Sequence, residues 1–365
     1  MSVKRVLMTG HNGYIGSVMS QGFVAAGYDV VGLDTGYFSE CTLVRDTVQI
    51  PAIRKDIRDL EPEDLEGFDA VVHLAALSND PIGNLNDAWT EAINFESSVR
   101  LAQLAKAAGA QRFLFSSSCI MYGMSEASVV TEESPLDPKT EYARSKVRAE
   151  RAIQALAAPG FSPTFLRNGT VYGLSPRMRF DTVFNDLVGA AVTTGKATVY
   201  SDGRPWRPVV HVQDVTRAFL AVLGAPVSDV HNEAFNTGTD ALNRQIRDLA
   251  EIVVRTVPNS RLEIVARPGA DQRTYKTDFS KFVRTFPGCE FRWSPEDGAR
   301  ELSEAFAARP LTHTDFVNPK FTRLKWLQHL MSSGRLTTSL RWNTTERSGR
   351  SDDSRREYRP AAANR

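Results

Sequence analysis

Met8-Thr9-Gly10-His11-Asn12-Gly13-Tyr14-Ile15-Gly16-Ser17 is the stretch from which the fold is read. The apolar run Val3 to Met8 before it predicts a buried β-strand, and Val18 to Ala26 after it predicts a helix. Gly10 suits a tight turn, Gly13 lets a phosphate approach the backbone, and Gly16 lets the helix sit against the strand. The helix N-terminus would offer free N–H groups and the positive end of a dipole to a pyrophosphate. An ordinary tight βα turn has the same needs, so the ligand has to be argued from residues elsewhere.

The first of these is Asp34. Tyr28 to Asp34 predicts a second strand ending in an acid, eighteen residues after Gly16. In a dinucleotide-binding fold an acid here accepts hydrogen bonds from the adenosine ribose and repels a 2′-phosphate, which favours NAD over NADP. Ile53 to Asp59 predicts a third strand end, with Asp56 and Ile57 placed to flank an adenine. Ala70-Val71-Val72-His73-Leu74-Ala75-Ala76 is a continuous apolar run, as in a parallel strand buried on both faces. Leu74, Ala75 and Ala76 at its end leave room for a cofactor against the backbone. A helix is expected from about Thr90 to Ala108, then a strand through Phe113 to Ser116. Alternating strands and helices predict an α/β fold, a Rossmann-type doubly wound parallel sheet.

Composition bounds the alternatives. The 365 residues are 42% hydrophobic and 24% charged, as in a globular protein with a sizeable core. A net charge of +1 gives no global attraction to nucleic acid or a membrane surface. No apolar run reaches the length of a membrane span. Cys41, Cys119 and Cys289 are far apart and odd in number, which argues against a disulfide framework or a cysteine metal site. The strand beginning near Val3 leaves no room for a signal peptide, so a cytoplasmic location is expected.

Chemistry enters with Ser116-Ser117-Ser118-Cys119 at a strand's carboxyl end, where ligands bind in such sheets. Tyr142-Ala143-Arg144-Ser145-Lys146 opens a helix expected to reach about Ala157, with Tyr142 and Lys146 on one face. Here the sequence resembles the extended short-chain dehydrogenase/reductase family, the NAD-dependent sugar-nucleotide epimerases and dehydratases. The resemblance rests on Thr9-Gly10-x-x-Gly13-x-x-Gly16, Asp34, Asp56-Ile57, His73-Leu74-Ala75-Ala76, Asn94, Ser116 to Ser118 with Tyr122-Gly123, and Tyr142-x-x-x-Lys146. Leu166-Arg167, Val171-Tyr172-Gly173 and Arg207 to Val215 extend it, and it covers about residues 3 to 305.

The resemblance implies catalytic Ser118, Tyr142 and Lys146. It also implies a tightly held NAD contacted by Gly10, Gly13, Tyr14, Ile15, Gly16, Asp34, Asp56, Ile57, Leu74, Ala75, Ala76, Asn94, Tyr142 and Lys146. The expected partner is a nucleoside-diphosphate sugar, with Thr170, Arg207 and Arg273 as substrate contacts. Arg267 is the runner-up to Arg273, and Arg177 with Arg179 forms a second basic cluster facing a diphosphate. A homodimer through helices 90–108 and 142–157 is the family expectation. The implied division is a NAD-binding domain over 1–165, a mainly substrate-binding lobe over 166–310, and a partly disordered C-terminal extension over 311–365. Residues 341–365 hold seven arginines against four acids and few apolar residues, as in a disordered tail.

A free tyrosine, with a pKa near 10, is a poor base at neutral pH; a lysine one turn away favours its ionised form. Tyr142 would then take the proton of a sugar hydroxyl while hydride leaves that carbon, and Ser118 would hydrogen-bond the oxygen that becomes a carbonyl. Family members that dehydrate at C5–C6 carry an Asp-Glu pair where this chain has Cys119 and Ile120. A UDP-glucose 4-epimerase-like reaction through a transient 4-keto sugar is therefore the leading expectation. Alternatives are a sugar-nucleotide dehydratase, a keto-sugar reductase or epimerase using Cys119, and a non-enzymatic NAD-sensing module. No metal is expected.

Overall fold

The computed structural model describes residues 3–44, 49–78, 86–123, 129–265, 267 and 273–343. Seven strands form a parallel sheet: β1 (Arg5–Thr9), β2 (Asp29–Asp34), β3 (Ala52–Arg54), β4 (Ala70–His73), β5 (Arg112–Ser118), β6 (Ser162–Asn168) and β10 (Ala234–Thr237), in the order β10-β6-β5-β4-β1-β2-β3. The chain adds strands on one side of β1 and then on the other. A crevice therefore opens beyond the carboxyl ends of β1 and β4.

Alternation along the strands builds two cores. Val6, Met8, Val72 and Leu114 pack on Met19 and Phe23 of α1 (Gly16–Ala25) and, lower in the chain, Phe219 of α5 (Val212–Gly224). Leu7, Val71, Phe113 and Phe115 face α2 (Ser97–Ala107) and α3 (Glu141–Gln154), through Leu101 and Ile153. A third core lies in the smaller lobe. Here α4 (Val183–Thr194), α6 (Ile246–Thr256) and α7 (Pro295–Ala308) pack around Phe184, Leu249 and Leu302. Short strands β7 (Thr170–Tyr172), β9 (Trp206–His211) and β11 (Asn243–Gln245) make one small sheet, and β8 (Lys196–Val199) pairs with β12 (Arg261–Ile264).

Three local expectations change. The third strand stops at Arg54, because the Asp56 carboxylate accepts the Arg58 N–H (2.9 Å) and turns the chain into a short 3-10 helix. The helix expected over Thr90 to Ala108 contains a π turn, Glu91–Glu96, ahead of α2. The largest difference is at the C-terminal end: residues 311–343 are folded. Helix α8 (Arg323–Ser332) buries Trp326, Leu327 and Leu330 in the core beneath Phe113, and Leu336 and Leu340 follow. Trp326 Nε1 donates to Tyr37 O and Trp342 Nε1 to Thr35 O, both at 2.7 Å, while Trp89 Nε1 donates to Thr338 O at 2.8 Å. Of the tail expected over 341–365, residues 341–343 belong to this folded segment, and residues 344–365 lie outside the described residues. Among the described residues no helix is long and apolar enough to cross a membrane.

This strap is part of the main core. Trp326→Ala should cost about 3–5 kcal/mol, the usual range for emptying a buried aromatic site, read as a shifted denaturant midpoint. An unchanged midpoint would make the segment an appendage.

Candidate active site

The crevice is walled on one side by the glycine turn. Gly10 has φ +72°, and a Cβ there would lie 2.7 Å from Ala75 N; one on Gly16 would lie 2.2 Å from Gly10 O. These contacts draw β1, α1 and the end of β4 together. Tyr14 and Ile15 donate their backbone N–H groups to no described partner, so the first turn of α1 presents free donors to the cleft. The Tyr14 ring plays a different part. Its hydroxyl donates to Gly173 O (2.7 Å) and Ser175 Oγ donates to Tyr14 O (2.7 Å), fastening the turn to the smaller lobe. Asp34 lines the cleft at the end of β2 and accepts N–H groups from Gly36 (2.6 Å) and Asn12 (3.2 Å).

Free donors, an acid eighteen residues on and a glycine cradle form one surface suited to an adenosine diphosphate moiety. Asp56, Ile57, Leu74, Ala75 and Ala76 also line the cleft. The Asp56 carboxylate is already held by Arg58 (2.6 Å), and that pairing keeps it well below the usual carboxylate range despite burial. Asn94 is not among the residues that line the cleft. It is buried behind the wall, where Oδ1 accepts from Leu77 N (2.8 Å) and Nδ2 donates to Leu77 O (3.0 Å). It braces the segment after β4, an effect of the π turn that positions it.

A hydrogen-bonded chain sets the ends of β1 and β4. Ser98 donates to Asn94 O (2.7 Å), so its oxygen accepts Nε2–H of His73 (2.8 Å), and His73 Nδ1 accepts from Thr9 (2.7 Å). Burial, with Lys146 nearby, pushes His73 down to about 3 and keeps it neutral.

The reactive residues come from β5 and α3. Ser118 ends β5 and lines the cleft; its Oγ accepts the Ile120 N–H (3.3 Å) and keeps its own proton to donate. Thr140 caps α3 by accepting the Ala143 N–H (3.2 Å), and this sets Tyr142 in the first turn, on the cleft wall. Lys146 lies behind the cleft wall. One turn beyond Tyr142, it is 4% exposed, donates to Ser116 O (2.8 Å) and lies 4.6 Å above the Phe115 ring. Burial pushes its pKa down to about 8, with Glu150 pulling it back up, so most of it is charged at neutral pH.

Behind this wall, Glu150 and Arg167 form a buried ion pair; Ser117 Oγ donates to Glu150 (2.7 Å), and Arg167 donates to Tyr122 Oη (3.0 Å). Cys119 is fully buried and donates to Arg167 O (3.1 Å); burial pushes its thiol up to about 12. Cys119→Ala should leave turnover within about threefold, since a thiol so rarely ionised is a poor acid–base group. A hundredfold loss would place Cys119 in the chemistry.

On the lobe side, Thr170, Arg207 and Arg273 line the cleft together. Arg207 donates to the Arg273 carbonyl and to Trp206 O (2.9 Å), and its guanidinium lies 5.9 Å from the Tyr275 ring. Arg267 is elsewhere, 4.2 Å over the Tyr200 ring. Of the other basic pair, Arg179 lines the cleft and Arg177 does not. Sequence reasoning missed Asn168, Thr182, Tyr275 and Arg323, all on the cleft wall. Asn168 lies two residues before Thr170 at the end of β6, so the rule that ligands meet strand carboxyl ends was signal enough to find it. Among the described residues no acids, histidines and cysteines gather as a metal site.

Comparison with known proteins agrees with this geometry. A model of the NAD dependent epimerase/dehydratase family matches residues 6–238. A UDP-glucose 4-epimerase of Corynebacterium glutamicum is 27% identical over 80% of this chain and 91% of its own length. The human dTDP-D-glucose 4,6-dehydratase is also 27% identical, over 74% of this chain and 81% of its own. The structure of MoeE5 in complex with UDP-glucuronic acid and NAD superposes with a TM-score of 0.72 at 28% identity, covering 84% of this chain and 100% of that one. With a matching family model over most of the sheet, a cleft whose walls suit the dinucleotide, and relatives of this kind, the chain is an enzyme of the NAD dependent epimerase/dehydratase family.

Proposed function

We propose that the protein is a sugar-nucleotide 4-epimerase. The substrate is a nucleoside-diphosphate sugar whose diphosphate is met by Arg207 and Arg273 and whose sugar reaches Ser118 and Tyr142. Forked guanidinium donors suit phosphate oxygens. Bound NAD supplies a hydride acceptor, later a donor, beside the sugar ring. Tyr142 removes the proton of the C4 hydroxyl. The Lys146 ammonium, one turn away, lowers the cost of the tyrosinate by charge attraction. Ser118 donates a hydrogen bond to the oxygen as it gains carbonyl character. The keto sugar turns in the cleft, and Tyr142 returns the proton after reduction on the other face.

One observation carries the choice of epimerisation. The segment after Ser118 offers Cys119, fully buried and held protonated, and Ile120, which moves no proton. Elimination of water from C5–C6 needs an acid–base pair beyond Tyr142, and among the described residues directly after Ser118, from Cys119 to Gly123, there is no carboxylate. The experiment is incubation of the purified protein with UDP-, GDP-, dTDP- and CDP-sugars, followed by NMR. An epimer of unchanged mass is expected. Loss of water would replace the reading with a dehydratase, product formed only with added NADH with a reductase, and no product from any sugar with a regulatory module.

A further inference from the structure

Arg179 and Asp181 pair at 2.5 Å on the cleft wall, and Asp181 also accepts the backbone N–H of Arg323 (3.0 Å). Arg323 brings a second guanidinium from the first turn of α8. It is 1% exposed, yet it lines the cleft. Its side chain donates to Arg177 O (2.6 Å) and Met178 O (3.3 Å) and lies 4.5 Å from the Phe38 ring centroid. Among the described residues no carboxylate is ion-paired with it. Burial, with Arg179 alongside, pushes its pKa down to about 10. A guanidinium taken out of water is costly unless an anion meets it. Carbonyl oxygens satisfy its donors but do not cancel its charge.

We propose that Arg323, carried by the C-terminal strap, is a binding residue for the pyrophosphate of the dinucleotide cofactor. Arg323 and the free N–H groups of Tyr14 and Ile15 line one cleft, and Tyr14 is among the groups that act on the Arg323 charge. A pyrophosphate seated on those donors is then held by Arg323 as well. The groups around Arg323 are Arg179, Asp181, Cys41, Tyr14 and Phe38, whereas Arg207 and Arg273 lie with Tyr275. The same strap holds the loop after Asp34 through Trp326 and Trp342. Cofactor retention thus depends on a segment beyond the stretch that the family model matches. The inference rests on the cofactor site and not on which sugar is turned over.

The test is exchange of bound NAD against isotopically labelled NAD in the full-length holoenzyme, with UDP affinity measured in parallel. Arg323→Gln, which keeps donors for the two carbonyls and removes the charge, should speed exchange about ten- to a hundredfold, the value of a charge-assisted hydrogen bond. UDP affinity should stay within twofold, and Arg323→Lys should exchange NAD more slowly than the Gln variant. Exchange within twofold of the unmodified protein overturns the proposal, as does loss of UDP affinity with NAD retention unchanged. Should the Gln variant fail to fold, amide hydrogen exchange of the unmodified protein decides. Residues 323–332 should gain protection with ADP but not with adenosine, and equal protection by both overturns the proposal.

Discussion

Tyr142→Phe should abolish turnover, by at least about a thousandfold, while NAD stays bound and the unfolding midpoint hardly moves. The ring remains on the cleft wall in the first turn of α3, so packing is kept. What is lost is the group that moves the proton in the proposed reaction, and positioned acid–base groups contribute about 10² to 10⁴ in rate. Single-turnover measurement of NADH formed on adding sugar nucleotide separates this step from binding. Activity within tenfold of the unmodified enzyme would remove Tyr142 from the mechanism.

Glu150→Ala should destabilise the protein by about 3–5 kcal/mol, the cost of leaving a buried charge without its partner. Arg167 is 5% exposed and Glu150 2%, so neither charge can turn to water. Arg167 would keep only Tyr122 Oη and Glu132 O, both at 3.0 Å. Ser117 would lose its acceptor at the end of β5, next to Ser118. Pairing Glu150→Leu with Arg167→Met should recover most of the loss, because the uncompensated charge is then gone. Denaturant unfolding of the three variants checks this. Additive losses in the double variant would show that the two residues act separately.

The sheet was legible because fully buried parallel strands leave continuous apolar runs, as at Ala70 to His73 and Phe113 to Phe115. The glycine turn and Asp34 were legible because turn geometry and charge are local properties. The π turn that holds Asn94 was not legible, since sequence spacing does not reveal such a turn. Lys146 was placed on the right face, but its burial on Phe115 depends on how closely α3 meets the sheet. The strap did leave a signal: Leu324, Leu327 and Met331 with Trp326 and Leu330 recur at helical spacing. Arg323 had no signal at all. A surface arginine and a buried one read alike, and only the packing of α8 against Phe38 and Met178 distinguishes them.

In the proposed reaction hydride leaves C4 and returns to the same carbon with nothing lost. Deuterium at C4 of a sugar nucleotide that the enzyme accepts, followed by NMR and mass spectrometry in ordinary water, tests it directly. The prediction is the C4 epimer with deuterium fully retained at C4, no exchange at C3 or C5, and no change in mass. Deuterium moved to C6 with loss of water, or washed out to added cofactor, would contradict it.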